Sequence, residues 1–282
     1  MNYPYGRTTF GTSNTITDFN WRATGLIVGS VIAIAAVFLF TEAVPQDPAY
    51  HNFSDTRTLL GIDNFWNVAS NLPFLLVGAT GLFYVHRHMD AACVPGLEAA
   101  YRVFFIGIFL TAFGSGYYHL VPGNDSLVWD RLPMTIGFAG LFSIIVGEFV
   151  SIRVARLLLL PLLVVGISSV EYWAWTEARG AGDLRLYAIV QFLPMLLIPV
   201  ILLSYRPVTG TTRYFWWMFV FYFIAKILEQ LDVAIFGIGN IISGHSLKHV
   251  AAALTPAVFL YALSLRRHSK KEPAIEHDRI PG

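Results

Sequence analysis

Eight long apolar blocks dominate this sequence, and short connections that carry most of the proline, glycine and charge separate them. A helix needs about 20 consecutive, mostly apolar residues to cross a bilayer. The blocks approach that length, so the sequence predicts an all-α, polytopic membrane protein with eight transmembrane helices. The predicted spans are Thr24–Leu39, Phe65–Val85, Tyr101–Val121, Leu132–Val150, Leu157–Trp173, Leu186–Leu203, Tyr214–Phe236 and Ser246–Leu265.

The composition supports a membrane location. The 282 residues are 55% hydrophobic and only 13% charged, whereas a soluble domain carries about 25% charged residues. Too little polar surface remains to solvate a globule of this length. The formal net charge of +1 gives no indication of nucleic-acid binding, so membrane lipids are the expected partners, and the oligomeric state is left open.

The distribution of charge predicts the domain organisation. We expect a polar cytoplasmic tail over residues 1–23, a single helical transmembrane domain over 24–265 and a basic polar tail over 266–282. With eight spans, the segments rich in Lys and Arg fall on one side of the membrane, which predicts that both termini are cytoplasmic. Glu148, near that side, is expected to reach water, and Arg266 is expected to be solvated in the tail.

Ionisable residues inside apolar spans are costly and therefore point to function. His245 and His249 open the last predicted span, and residues four apart lie on one face of a helix, so both imidazoles can reach one metal ion. By itself this pattern is weak evidence, because packing at a helix end also explains it. Cys93 is the only cysteine, so no metal site built from several cysteines can form.

Further polar residues share the membrane leaflet of that histidine pair. Ser115 and His119 lie at the end of the third predicted span, and Asp130 precedes the fourth. The predicted topology brings these ends and the start of the last span to the non-cytoplasmic side. We therefore expect His119, His245 and His249 at one depth, with Asp130 and Ser115 beside them.

Three histidines suit a catalytic metal. Three neutral imidazoles leave one position of a tetrahedral Zn²⁺ ion open for water, whose pKa falls to about 7. Asp130 is then a candidate to take and return the proton, and Ser115 to donate to a developing oxyanion. Each has a structural alternative, because Asp130 can cap the following helix and Ser115 can bond to its own helix.

The seventh predicted span carries further ionisable residues. Glu229 and Asp232 are expected either to serve a polar cavity near the metal or to pair with Lys226 or a loop residue. The sequence does not decide between these alternatives.

These residues resemble the motifs of a known family. The segment Asn64-Phe65-Trp66-Asn67-Val68-Ala69-Ser70-Asn71-Leu72-Pro73 resembles the opening of the first core helix in alkaline ceramidases. The wider CREST superfamily, which also contains the adiponectin- and progestin-type receptors, has a motif that resembles Ser115, His119, Asp130, His245 and His249. The resemblance extends from about Asp55 to Leu265 and is greatest to the bacterial branch of the ceramidase family.

The resemblance implies a seven-helix core, here preceded by one extra N-terminal helix, in the plasma membrane of a bacterium. It implies zinc held by His119, His245 and His249. Asp130 and Ser115 would act on the bound water and the scissile carbonyl. The implied reaction is hydrolysis of a lipid amide, such as ceramide, to a fatty acid and an amine. Two alternatives stay open: a lipid-sensing, receptor-like protein with a structural zinc, and a transporter or channel.

The sequence departs from the family in one region. Eukaryotic alkaline ceramidases have an acidic calcium site ahead of the first core helix, whereas here Asp55 is followed by Thr56 and Arg57, and Asn64 stands where a second Glu is expected. The cation on Arg57 disfavours Ca²⁺, and Asp55 and Arg57 are expected to pair. Since this region lies near the substrate headgroup in the family, the departure also weakens the case for ceramide itself.

Overall fold

The protein is a bundle of helices. The computed structural model describes residues 21–271, and within them the all-α prediction is confirmed, with no strand. Residues 1–20 and 272–282 of the predicted tails lie outside the described residues. The elements are α1 (Trp21–Phe40), a 3-10 helix (Pro48–His51), α2 (Phe65–Ala69), α3 (Leu72–Ala92), α4 (Glu98–Leu120), α5 (Asn124–Phe149), α6 (Ile152–Glu177), α7 (Arg185–Ser204), α8 (Thr212–Gln230), α9 (Asp232–Phe236) and α10 (Gly244–Lys271).

Seven segments of the described chain are long and apolar enough to cross a membrane: α1, α2 together with α3, and α4, α5, α6, α7 and α10. The protein is therefore a polytopic, all-α membrane protein. The other long helix, α8, corresponds to the predicted span Tyr214–Phe236, but it carries Arg213, Lys226 and Glu229 and ends at Gln230. The count of eight spans stays a prediction.

Helix α5 begins earlier than predicted, at Asn124. Asp130 consequently lies inside the helix, so the alternative that it caps the helix is wrong. Pro133 also lies inside α5, and because proline has no N–H, the carbonyl of Trp129 loses its usual partner one turn away. Gly114 of α4 packs against that carbonyl oxygen, where a Cβ atom would overlap it. This close approach brings α4 and α5 together beside the two catalytic candidates.

The same two helices pack tightly along their length. A Cβ atom at Gly107 of α4 would overlap the backbone of Gly137 of α5. Small residues allow the backbones of two membrane helices to come close together. In lipid, where the hydrophobic effect does not drive helices together, this close van der Waals packing holds them. Helix α5 is the most buried of the candidate spans, so α4 and α5 form the centre of the bundle.

The end of α10 differs from the prediction. The helix continues past Leu265 to Lys271. Arg266 is 9% exposed and forms an ion pair with Glu148, which is completely buried. The predictions that Arg266 is solvated in the tail and that Glu148 reaches water are therefore wrong, because each charge compensates the other inside the bundle.

Helix α1 lies at the edge of the bundle. It has no buried residue, and large apolar side chains are exposed along its length. Its polar contacts are at its two ends, where Arg22 donates to the carbonyl of Ser204 and Arg185 donates to the carbonyl of Thr41. A helix that is apolar on every exposed side is stable only in an apolar solvent, which again indicates a bilayer.

Candidate metal centre

Three histidines from two helices meet at one end of the bundle. His119 lies in the last turn of α4, and His245 and His249 lie in the first turns of α10. All three are buried. The Nε2 atom of His119 lies 3.1 Å from that of His249 and 3.4 Å from that of His245. The predicted convergence of these three residues is therefore observed.

The three nitrogen atoms fit a metal ion. With Zn–N bonds of about 2.0–2.1 Å and tetrahedral angles, ligand nitrogens lie about 3.3 Å apart. The two Nε2 separations lie on either side of that value, and the candidate ligand atoms are all within 4.8 Å of one another. Neutral imidazoles facing one another direct lone pairs at a common point, which is unfavourable unless a cation or a proton lies between them. The cluster can therefore hold a metal ion.

A serine at the break between α2 and α3 orients one ring. The Oγ atom of Ser70 lies 2.7 Å from Nδ1 of His249 and 3.1 Å from the carbonyl oxygen of Asn67. Since the hydroxyl donates its one proton to the carbonyl, it accepts a hydrogen bond from Nδ1 of His249. This tautomer leaves the lone pair on Nε2, and such an outer contact is usual for metal-bound histidine.

The start of α10 is fixed by hydrogen bonds from other segments. Ser243 caps the helix by accepting from the N–H of Ser246 at 3.1 Å. Asp232 accepts from the N–H of His245 at 2.7 Å and from that of Ser54 at 3.0 Å. Asp232 therefore binds backbone groups on both sides of the metal centre and positions His245.

An irregular segment, residues 46–57, crosses the metal centre, and we call it the strap. The ring centroid of Phe53 lies 4.7 Å from that of His119 and 4.8 Å from that of His245. His51 hydrogen-bonds through both ring nitrogens to residues of α4 and α5. The strap therefore covers the histidines and is anchored to the helices that carry the candidate site.

The strap ends in an ion pair between a buried carboxylate and an exposed guanidinium. Asp55 is completely buried, and Arg57 donates to its two carboxylate oxygens at 2.8 and 2.6 Å, which confirms the predicted pairing. The same guanidinium donates to the carbonyl oxygens of Asn240 and Ile241, both at 2.8 Å. The hydrogen bonds to Asp55 raise the pKa of Arg57. Arg57 thus joins the strap to the loop that precedes α10.

A cavity of about 340 Å³ extends from the metal centre into the bundle. Apolar residues provide most of its lining, and on α4 the lining runs from Phe104 to Ser115, about 17 Å of helix. His249 and Asp130 border the same cavity. Ser115 lines the cavity together with Asp130. Both catalytic candidates therefore adjoin a metal-binding candidate at the polar end of an apolar cavity.

Charged side chains border that polar end. Glu229 accepts hydrogen bonds from Lys226 at 2.7 Å and from Lys248 at 2.9 Å, and all three residues line the cavity. Both alternatives for Glu229 are therefore observed, because Glu229 pairs with Lys226 and also lines the cavity. Arg131 lines the cavity too. The sequence assigned it no role, although a second charge directly after Asp130 was an available signal.

Comparisons with known proteins do not add an assignment. A scan against protein-family models finds no match, and a search of the curated proteins finds none either. The function is therefore inferred from the geometry of the candidate site and from the sequence motifs.

Proposed function

We propose that this protein is a zinc-dependent intramembrane hydrolase that cleaves the amide bond of an N-acyl lipid to a fatty acid and an amine. One observation carries the proposal: three buried histidine nitrogens converge, and one of these residues, His249, borders an apolar cavity that Asp130 and Ser115 also border. A metal ion held there supplies Lewis-acid polarisation of the carbonyl and a water molecule of lowered pKa.

The protein's own residues supply the remaining chemistry. His119, His245 and His249 hold the ion. Asp130 accepts a proton from the attacking water and returns it to the departing amine, so that the C–N bond breaks to give an acid and an amine. Ser115 donates a hydrogen bond to the oxygen that gains negative charge during the attack.

The shape of the cavity favours a lipid substrate. Its lining along α4, α5, α7, α8 and α10 is mostly apolar, and the polar groups are concentrated near the histidines. An acyl chain can therefore remain in apolar surroundings while its amide reaches the metal centre.

We also propose an orientation. The excess of Lys and Arg in alternate connections favours cytoplasmic termini, which puts the metal centre in the non-cytoplasmic leaflet. The resemblance to the bacterial ceramidase branch favours the plasma membrane of a bacterium.

The first test is the metal content of detergent-purified protein, measured by mass spectrometry. We expect about one zinc ion per chain and its loss in His249→Ala, because a nitrogen that faces the cluster is removed. His86→Ala, which changes an exposed histidine on α3, is the matched control and should keep the metal. Wild-type turnover of lipid amides by metal-free His249→Ala would contradict the proposal.

The second test distinguishes an enzyme from a receptor. Metal-loaded protein is incubated with an excess of an N-acyl lipid, and released fatty acid is counted per chain. Many molecules per chain support hydrolysis. One intact N-acyl lipid retained per chain, with no fatty acid released, would contradict hydrolysis and support lipid sensing with a structural metal.

A further inference from the structure

Arg131 is a buried cation with no carboxylate partner among the described residues. It is 6% exposed and lines the cavity beside Asp130. Its Nη2 donates to Oε1 of the neutral Gln46 at 2.6 Å, and its Nη1 has no hydrogen-bond partner within the described chain. None of the ion pairs found among the described residues includes it.

Aromatic rings hold this guanidinium in place. Its Cζ lies 4.1 Å from the ring centroid of Trp173 and 4.7 Å from that of Tyr187. Ring faces attract a cation and fix the plane of the guanidinium, but they do not satisfy its N–H donors. The result is a flat group in a fixed orientation with unused donors, which is the geometry that binds carboxylate or phosphate.

A second buried arginine shows what is missing. Arg266 is 9% exposed, and its two terminal nitrogens donate to the two carboxylate oxygens of Glu148, both at 2.8 Å. A buried charge without such a partner is strongly unfavourable. Arg131 therefore lies where an anion from outside the protein would stabilise it.

The charges around the cavity also favour an anionic ligand. Arg131, Lys226 and Lys248 are cationic, whereas only Asp130 and Glu229 among the lining residues are acidic. Glu229 is already paired with both lysines. The polar end therefore has an excess of positive charge, and a bound divalent metal would increase it.

We propose that Arg131 binds an oxyanion, carboxylate or phosphate, on the headgroup side of the lipid amide, so that the preferred substrates are acidic N-acyl lipids. This inference rests on the proposed function. Arg131 and Asp130 line the same cavity, so one bound lipid can contact both residues. Arg131 selects the substrate, and Asp130 acts on it.

Binding is tested without turnover, in the His249→Ala background. N-palmitoylserine and N-palmitoylethanolamine differ only by one carboxylate, and the O-phosphate of the latter adds a phosphate to the same chain. Quenching of tryptophan fluorescence reports binding, because buried Trp173 stacks on Arg131. We expect both acidic lipids to bind roughly tenfold or more tightly than the neutral one, as for a hydrogen bond to a charged group.

Variants assign that preference to Arg131. Arg131→Gln should remove it by weakening only the acidic lipids, and Arg131→Lys should restore part of it because the charge returns. Arg179→Gln is the matched control, since Arg179 also stacks on a tryptophan, at 4.0 Å, but is exposed. In metal-loaded protein the same ranking should appear mainly in KM, and retained metal shows that each variant is folded.

The outcomes separate the two proposals. Equal binding of acidic and neutral lipids, or a preference that Arg131→Gln leaves intact, overturns the role of Arg131. Palmitate binding as tightly as N-palmitoylserine also overturns it, because Arg131 would then hold the product. A binding preference that depends on Arg131, with no hydrolysis by metal-loaded wild type, supports anion recognition and contradicts only the proposed hydrolase.

Discussion

The two ends of α4, α5 and α10 both bury ionisable side chains, but they differ in how the buried charges are paired. At one end Glu148 and Arg266 pair with each other, whereas at the other end Arg131 has no carboxylate partner among the described residues. At the first end Oε1 of Glu148 accepts from Tyr101 at 2.5 Å and from Arg266 at 2.8 Å, and Oε2 accepts from Thr209 and Arg266, each at 2.8 Å. Arg266 also bonds to Thr211. Both buried charges there, Glu148 and Arg266, therefore have partners supplied by the protein.

The opposite end retains unused groups. Within the described chain, Nδ1 of His119 and Nη1 of Arg131 are buried and have no hydrogen-bond partner, and three imidazoles face one another. Buried polar groups without partners are rare and need a reason. The difference teaches that burial of charge alone does not indicate function, whereas buried charge with unsatisfied groups indicates a ligand.

The largest effect is expected at the end of the bundle that carries the candidate metal centre. Asp130→Asn keeps the size of the side chain but removes its ability to carry a proton. We expect the turnover of lipid amides to fall about 10²- to 10⁴-fold, while zinc content stays unchanged. Asp125→Asn, an exposed change on the same helix, is the control. Turnover within a factor of two of wild type would contradict the role of Asp130.

The next effect is expected at the opposite end, where Glu148 and Arg266 form an ion pair. Glu148→Ala leaves the buried Arg266 unpaired and should lower the free energy of unfolding by about 3–5 kcal/mol, with the zinc content of the folded protein unchanged. Replacing both charges, as in Glu148→Leu with Arg266→Met, should recover most of that loss. Thermal melting in detergent measures both. Loss of metal at an unchanged melting temperature would mean that this end is functional too.

The smallest effect tests the orientation of one ligand. Ser70→Ala removes the acceptor for Nδ1 of His249 and should weaken metal binding about 10- to 100-fold, measured by competition with a chelator. The melting temperature should change little. Ser264→Ala, which removes an exposed hydroxyl bonded within α10, should leave metal affinity at the wild-type value. Equal affinities in the two variants would exclude a role for Ser70.

Much of the fold and of the site is predictable from the sequence. Long apolar blocks give the spans, because crossing a bilayer requires them. The order of spans then places His119 at the end of one helix and His245 at the start of another on the same side of the membrane. The convergence of the histidines follows from topology, without any knowledge of packing.

Other features depend on packing and were missed. The sequence predicts a solvated tail at Arg266, since basic residues after an apolar block usually face water. Its burial instead depends on Glu148 of another helix. The strap has no helical periodicity, so nothing in its sequence predicts that Phe53 covers the histidines. The outer contact of Ser70 arises at the helix break between α2 and α3, inside the block Phe65–Val85 that the sequence predicts as one continuous span.

The contacts between α1 and α7 hold the two helices side by side and align their ends. Arg22 near the start of α1 binds the last residue of α7, and Arg185 at the start of α7 binds Thr41, just past the end of α1. Each helix has 20 residues, or about 30 Å, which equals the thickness of a typical hydrocarbon layer. The length of both helices therefore matches the hydrocarbon thickness of a typical bilayer. In thinner membranes hydrophobic mismatch would favour tilting of α1, which lies at the edge of the bundle.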